Sequence, residues 1–228
     1  MLKNWSSTAF VDRAVAYREN PTIVLLLHRL FVPTYNAEIS AGSLMPLESK
    51  RIAALLLTRP DEVTWRQAIE SDNILQKNTP ATARRQATLI RKRLITLDAR
   101  AWEMISQRES EVQIQLLLAA AIKHSPLLGD FIRNVYTMRQ RGLESTLTPH
   151  DWPEFLAECA HHDPAVALWA DSTRAKLFQV IVRILAESKY IDNPRAMKLT
   201  PRSLHPDVRR YLTERHETYV LDCLERVQ

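Results

Sequence analysis

Glycine is scarce in this chain, with only three among 228 residues. Tight β-hairpins use glycine where the backbone needs a positive φ, so the shortage argues against a strand-rich fold. It also excludes the glycine-rich loops with which many nucleotide-binding enzymes hold phosphates. The sequence therefore predicts an all-α protein, and most of its 12 prolines stand where helices should begin or end.

Cysteine and long apolar runs are also sparse. Two cysteines, Cys159 and Cys223, are too few for a disulfide framework, and we expect both to be small core residues in a reducing cytoplasm. The longest apolar runs, 23–27 and 116–122, are too short to span a bilayer. No N-terminal stretch has the pattern of a signal peptide. We expect a cytoplasmic protein without a membrane partner.

The common catalytic and metal-binding motifs are missing from the sequence. HExxH, CxxC and GxSxG do not occur. The nearest approach to a metal cluster is Cys159, His161, His162 and Asp163, which lacks a second, distant pair of ligands. We therefore predict no catalytic residue, no metal site, no cofactor and no enzymatic activity.

The positive charge of the chain is concentrated in two blocks. The formal net charge is +5 and the isoelectric point is about 9.4. Residues 77–108 contain eight Lys or Arg against two acidic residues, and residues 174–215 contain ten against four. The rest of the chain is net acidic, so each block is a candidate surface for a polyanion.

Residues 79–97 predict a helix with two contrasting faces, which we call the basic helix. Thr79 and Pro80 mark its start, because a hydroxyl caps free N–H groups and proline suits the first turn. One apolar stripe, predicted to be buried, consists of Ala83, Ala87, Ile90, Leu94 and Leu97. The opposite face is polar and cationic, with Arg84, Arg85, Thr88, Arg91 and Lys92.

A second predicted helix precedes the basic helix, from Asp61 to about Ile74, and a short polar turn at 76–78 joins them. This layout is typical of a helix-turn-helix, in which the start of the second helix contacts base edges. In that arrangement Thr79, Thr82 and Arg85 would face the bases. The alternative is a helical hairpin within a bundle, whose charged face only meets water.

The remaining apolar patterns predict further helices at 7–18, 21–32, 99–124, 126–141, from 148, 171–188 and from 205 to the C-terminal end. We expect two packed helical lobes, with the basic helix in residues 1–142 and the remainder in 143–228. Residues 189–191 and 197–199 could pair as a small β-hairpin resembling the wing of a winged helix. This segment carries Lys189, Arg195, Lys198 and nearby Arg202, and the alternative is an ordinary basic loop.

The order of these patterns resembles the BrxA family of BREX bacteriophage-exclusion systems over about residues 8–215. The resemblance is carried by Ala54-Leu55-Leu56, Trp65, Ile74-Leu75-Gln76, Thr82-Ala83, Arg93-Leu94, Trp169, Ala175-Lys176-Leu177 and Lys189-Tyr190-Ile191. It implies a helical fold similar to the antitermination factor NusB, and DNA binding without enzymatic activity. No residue-level functional motif accompanies the resemblance.

These observations together predict a non-enzymatic, double-stranded-DNA-binding component of a BREX phage-defence system. Its contacts would be mainly to phosphates, through Arg84, Arg85, Arg91 and Lys92, with Lys198 and Arg202 as a second block. Two alternatives remain at this point. The chain could be an adaptor that holds other BREX subunits together by docking acidic partners, or an RNA binder by analogy with NusB.

Overall fold

The computed structural model of the chain describes residues 35–200 and 202–225. The helices predicted at 7–18 and 21–32, and the C-terminal end of the last helix around Val227, lie outside the described residues. The described chain is mainly helical, which confirms the all-α prediction. The similarity to NusB stays a prediction.

A short 3-10 turn, Glu38–Ala41, precedes the first described helix. The α-helices in chain order are α1 (Pro46–Leu57), α2 (Glu62–Arg66), α3 (Pro80–Leu94), α4 (Ala99–Gln107), α5 (Ser110–His124), α6 (Pro126–Asp130), α7 (Thr137–Arg141), α8 (Asp151–His162), α9 (Asp171–Glu187), α10 (Pro206–Glu214) and α11 (Thr218–Glu225). A π-helical segment, Gln67–Ser71, extends α2, and another, Phe131–Tyr136, connects α6 to α7. A 3-10 segment, Pro164–Leu168, follows α8.

Local sequence signals explain where several helices begin. Thr79 caps α3, since its hydroxyl oxygen accepts a hydrogen bond from the Thr82 amide at 3.2 Å. Asp61 caps α2 in the same way through the Thr64 amide at 2.8 Å. Prolines occupy the first turn of α1, α3, α6 and α10. The predicted start of the basic helix is therefore confirmed.

Two predicted helices are each divided into two. The helix predicted over 99–124 breaks at Arg108, whose backbone is extended (φ −82°, ψ 172°) between α4 and α5. The last predicted helix breaks at His216, where φ is 55°. In both cases the apolar spacing continues past the break, so spacing alone predicted one helix, and that prediction was wrong.

Helix α5 is the centre of the molecule. From Leu116 to Ile122 no residue is more than 4% exposed, so this helix is buried all round. Helices α1, α3, α4, α6, α10 and α11 all pack on it. The run of apolar residues thus serves a globular core. In the described part of the chain no helix is both long and apolar enough to cross a membrane.

Asp130 forms a buried junction at the end of α6. Its carboxylate accepts hydrogen bonds from the Tyr35 hydroxyl at 2.7 Å, the Tyr219 hydroxyl at 3.0 Å and the Arg133 guanidinium at 3.0 Å. Asp130 is 4% exposed, and these donors compensate its carboxylate for the water lost on burial. Burial, followed by the nearby negative charges, raises the pKa of Tyr219, and this hydroxyl stays protonated as a donor. The junction ties the start of the described chain to α6 and α11.

The core is continuous across residue 142. The Phe131 ring meets Trp152 edge-on, with ring centres 5.8 Å apart, and the Tyr136 hydroxyl donates to the Tyr190 carbonyl at 2.7 Å. Tyr35–Gln228 forms one compact unit. The limits of two lobes at 1–142 and 143–228 stay a prediction.

The segment expected as a small β-hairpin has minimal pairing. Ile191 forms an antiparallel bridge with Leu199, and Lys198 forms another with Thr146. The side-chain oxygen Oδ1 of Asp192 accepts hydrogen bonds from the amides of Asn193 and Lys198, which closes the turn. Its use as a wing stays a prediction.

The close packing beside Asp130 predicts that Gly129→Ala destabilises the fold. An added Cβ would lie only 2.9 Å from Cζ of Tyr219 and 3.0 Å from Cγ2 of Ile122, so these neighbours would have to shift. We expect the free energy of unfolding to fall by roughly 1–3 kcal/mol in urea titrations followed by circular dichroism.

Gly142→Ala is the matched control for that substitution. At Gly142 the nearest atom to an added Cβ is the Met138 carbonyl oxygen at 3.4 Å, and φ is −73°. We expect a change within about 1 kcal/mol. Equal effects of the two substitutions would contradict the packing described around Asp130.

Candidate nucleic-acid interface

Helix α3 is the basic helix, and its apolar stripe is buried as predicted. Ala83, Ala87 and Ile90 are each 1% exposed, and Leu94 is fully buried. This seam packs against α5 and α1, so the orientation of the helix is set by its apolar side. Arg84, Arg85 and Lys92 are exposed on the other side, and Arg91 is partly exposed.

Three cations of α3 have carboxylate partners from earlier parts of the chain. Arg84 Nη1 lies 3.1 Å from Glu70 Oε2, and Arg91 Nη1 lies 3.6 Å from Glu62 Oε2. Lys92 Nζ lies 2.9 Å from Glu38 Oε2, and its hydrogen bond lowers the pKa of Glu38 against the opposing effect of burial. The face that the sequence predicted to be almost uniformly positive is therefore partly neutralised.

Aromatic contact further positions Arg91. Its guanidinium carbon lies 4.4 Å from the centre of the Trp65 ring, and Trp65 is 8% exposed. A cation held over an aromatic face in this way loses part of its conformational freedom. Arg91 is thus oriented on two sides, by the ring of Trp65 and by the carboxylate of Glu62.

The N-terminal end of α3 holds Thr79, Thr82 and Arg85. The Thr79 hydroxyl donates to the Thr82 hydroxyl at 2.9 Å while accepting from the Thr82 amide, so its capping role occupies it. Thr82 is partly buried. Arg85 is exposed and forms no ion pair with any described residue. Of these three, Arg85 is the side chain most available to a ligand.

A second set of cations surrounds the 189–198 turn. Lys189, Arg195 and Lys198 are exposed, and Arg202 is partly buried. Within residues 35–200 and 202–225, none of the four has a carboxylate within ion-pairing distance. Both oxygens of Asp192, the carboxylate inside the turn, accept hydrogen bonds within the turn. The turn is therefore the less neutralised of the two basic surfaces, and we call these four residues the turn cations.

Arg93 is buried, in contrast to the other α3 cations. It is 4% exposed and donates to the Ser43 carbonyl at 2.5 Å and the Gly42 carbonyl at 2.8 Å. Burial lowers the pKa of Arg93 to about 10, so it remains charged at neutral pH. It is a structural arginine inside the first basic block.

The loop to which Arg93 donates is also in contact with the second basic block. Glu187, the last residue of α9, accepts hydrogen bonds from the Ser43 hydroxyl and the Leu44 amide, both at 2.7 Å. The C-terminal ends of α3 and α9 therefore meet at one loop. Lys189 follows Glu187 by two residues, so the turn begins at this junction.

Comparison with known proteins assigns the chain to a family. The model of the BrxA family matches residues 33–216. The chain belongs to the BrxA family. The resemblance inferred from the sequence is thereby confirmed, and the matched range includes both α3 and the turn cations.

Individual members of the BrxA family agree with this assignment. A BREX protein BrxA from Paramagnetospirillum magneticum is 41% identical over 193 residues, which are 85% of this chain and 97% of that relative. A BREX protein BrxA from Escherichia coli O9:H4 is 38% identical over 188 residues, 82% of this chain and 88% of that relative. The chain is therefore related to BrxA of BREX phage-defence systems.

A solved structure resembles the fold over the same extent. The crystal structure of an uncharacterized protein from Magnetospirillum magneticum matches with a TM-score of 0.80 at 39% sequence identity. The match covers 86% of this chain and all of that chain. The arrangement of helices over most of the chain is thus shared with a protein of known structure.

The carboxylates that partly neutralise α3 were not predicted from the sequence. Glu70 is 14 residues before Arg84, and Glu38 is 54 residues before Lys92. No helical spacing rule relates residues so far apart. Only the packing of the Gln67–Ser71 π-helical segment and the 3-10 turn against α3 brings these charges together.

Two residues of the possible metal cluster considered from the sequence, Cys159 and Asp163, have structural roles. Cys159 is 3% exposed, and burial raises the pKa of its thiol to about 12. The Asp163 carboxylate accepts from the amides of Ala165 and Tyr35 at 3.1 and 2.9 Å. In the part of the chain that the structure describes, no three metal-ligating side chains converge.

The burial of Arg93 predicts a large loss of stability for Arg93→Met. The substitution leaves one buried and one partly buried carbonyl without their donor and removes the positive charge near Glu187, so we expect the free energy of unfolding to fall by about 3–5 kcal/mol. Arg85→Met, which removes the same charge from the exposed side of α3, should change stability by about 0.5 kcal/mol or less. Urea titration of both variants tests the difference, and equal stabilities would show that Arg93 has no structural role.

Proposed function

We propose that this chain is a non-enzymatic DNA-binding component of a BREX phage-defence system and that it binds mainly the phosphates of duplex DNA. The observation that carries this proposal is the set of turn cations, which have no carboxylate partner in the described residues. A cationic surface without internal counter-ions is available to phosphate oxygens. Membership of the BrxA family supplies the defence context.

The paired cations of α3 can also contribute to phosphate binding. The Arg84–Glu70, Arg91–Glu62 and Lys92–Glu38 pairs are all at least partly exposed to solvent. Exposed ion pairs of this kind stabilise a fold by only about 0–1 kcal/mol, so a phosphate can replace the carboxylate at small cost. In this proposal Arg84, Arg91 and Lys92 bind phosphates in competition with the chain's own glutamates, whereas Arg85 binds without competition.

Base reading has a smaller part in the proposal. Thr79, Thr82 and Arg85 occupy the first turns of α3, where a recognition helix presents side chains to bases. The two hydroxyls already bond to each other and to the backbone. Only Arg85 is available for a bidentate contact to guanine without breaking a cap. The expected DNA binding is therefore weakly selective for sequence.

Neutralising the turn should weaken duplex binding and reduce its salt dependence. We propose the Lys189→Ala/Arg195→Ala/Lys198→Ala variant, measured by fluorescence anisotropy with a labelled duplex at several salt concentrations. The slope of log affinity against log salt should become shallower by about 0.9 for each phosphate that the variant no longer neutralises. A labelled single-stranded RNA serves as the competing ligand, because an RNA reader prefers unpaired loops to duplex DNA.

The matched control removes the same charge from cations that are already ion-paired elsewhere. Arg100 pairs with Glu214, Arg209 with Glu225 and Arg215 with Asp98. The Arg100→Ala/Arg209→Ala/Arg215→Ala variant should keep the wild-type salt slope. If both triple variants lose affinity equally, binding depends on net charge alone. If the wild type ignores the duplex at physiological salt, the DNA-binding proposal is wrong.

Removing the competing carboxylates should strengthen DNA binding. The Glu38→Gln/Glu62→Gln/Glu70→Gln variant frees Arg84, Arg91 and Lys92 while it preserves the size of each partner. We expect higher duplex affinity and a salt slope steeper by up to about 3, if each freed cation gains one phosphate. The control variant Glu103→Gln/Glu111→Gln/Glu158→Gln changes the net charge equally at exposed positions away from α3. Equal gains in both variants would argue against competition at this helix.

A further inference from the structure

A pocket with a distinct chemistry lies between the ends of α1 and α3 and the start of α4. Its volume is about 460 Å³, a size that holds one large side chain with room to spare. The residues that form it are Leu56, Arg59, Pro60, Arg91, Ile95, Ala99 and Trp102. Two guanidinium groups and an apolar surface therefore share one pocket.

The charge of this pocket differs from that of three other grooves on the described part of the chain. The α4–α10 groove contains Glu103 and Asp207, and the groove beside α2 contains Glu62 and Glu70. The groove beside α8 contains Asp151 among four carboxylates. The lining of the α1–α3–α4 pocket includes no carboxylate. It is therefore complementary to a negatively charged group.

Arg59 is the free cation at this pocket. It is exposed and has no ion-pair partner among the described residues, whereas Arg91 is shared with Glu62 and Trp65. Arg59 follows the C-cap of α1 with φ of 50°, a left-handed conformation that glycine adopts most readily. The chain has a guanidinium at a position whose backbone favours glycine.

The apolar part of the pocket is only partly covered. Ile95, at the end of α3, is 58% exposed. The Trp102 indole N–H donates to the Leu94 carbonyl at 2.7 Å, which holds the ring in place and uses its polar atom. The indole therefore contributes an apolar wall, and Leu56, another residue of the lining, is 7% exposed.

From this combination we propose that the α1–α3–α4 pocket docks an acidic segment of a partner protein that inserts one large apolar side chain. The apolar anchor would contact Leu56, Ile95 and Trp102, and flanking carboxylates would pair with Arg59 and Arg91. A nucleobase fits less well. Apart from the two guanidiniums, the lining side chains offer no free donor or acceptor to a base edge.

This interaction surface overlaps the proposed DNA-binding surface at Arg91. Arg59 and Ile95 are not among the candidate DNA contacts, so variants at these positions test docking alone. Arg91 belongs to both surfaces and stays unchanged in the test. Failure of docking would leave the DNA proposal intact, and failure of DNA binding would leave docking intact.

The test uses fluorescein-labelled peptides and the full chain, with binding measured by anisotropy. The first peptide has a single central phenylalanine between two pairs of aspartates. A second replaces the phenylalanine by alanine, and a third replaces the aspartates by lysines. We expect the first peptide to bind about tenfold or more tightly than the second, because burial of a phenylalanine side chain is lost in the second.

Variants of the pocket should act on this binding in a defined way. Arg59→Glu should abolish the preference for aspartates, so that the lysine peptide binds more tightly than the first. Ile95→Ser should weaken binding of the first peptide and leave binding of the alanine peptide unchanged. Arg141→Glu and Leu143→Ser, at exposed positions on and after α7, are the matched controls and should leave peptide binding unchanged. Circular dichroism of each variant verifies that helicity is retained.

Three outcomes would overturn the docking proposal. The first is equal binding, or no binding, of all three peptides by the wild-type chain. The second is displacement of the peptide by a labelled single-stranded oligothymidine whose own affinity falls in Ile95→Ser, because the pocket would then be a nucleotide site. The third is self-association in sedimentation experiments that Ile95→Ser removes, because a second copy would then occupy the pocket.

Discussion

The candidate interface depends on the hydrogen bonds that the buried Arg93 guanidinium donates. It holds the Gly42–Leu44 loop through two carbonyls, and the same loop is held from the other side by the Glu187 carboxylate. A buried arginine requires such compensation, because an unpaired charge in the core is costly. The requirement joins the end of α3 to the end of α9. The two basic blocks, remote in sequence, are thereby connected through one loop.

The chain's own carboxylates neutralise the cations of the two basic blocks to different extents. On α3, Glu38, Glu62 and Glu70 form ion pairs with three of the cations, whereas no described carboxylate forms an ion pair with a turn cation. A polyanion would therefore meet turn cations that have no ion-pair partner among the described residues, whereas it would have to displace weak ion pairs to reach Arg84, Arg91 and Lys92 on α3. The pocket at the end of α3, which we propose docks a partner protein, combines an apolar surface with two guanidinium groups.

Much of the fold was predictable because it depends on local physical rules. The cap at Thr79, the prolines of the first turns and the stripe from Ala83 to Leu94 all follow from helix geometry. The breaks at Arg108 and His216 were not, since the apolar spacing continues across them. The candidate cations could be identified by type and face. Their availability could not, because it depends on partners such as Glu38, 54 residues away from Lys92.

The order of residues was enough to establish that the chain is helical, that α3 has a buried seam and a polar face, and that cations cluster in two blocks. These properties depend on residue type and short-range spacing, which can be read directly along the chain. The folded chain was needed to show which cations are neutralised, which arginine is buried and where a pocket without carboxylates forms. Charge pairing and burial act between side chains that are close in space, and packing around α5 sets those distances.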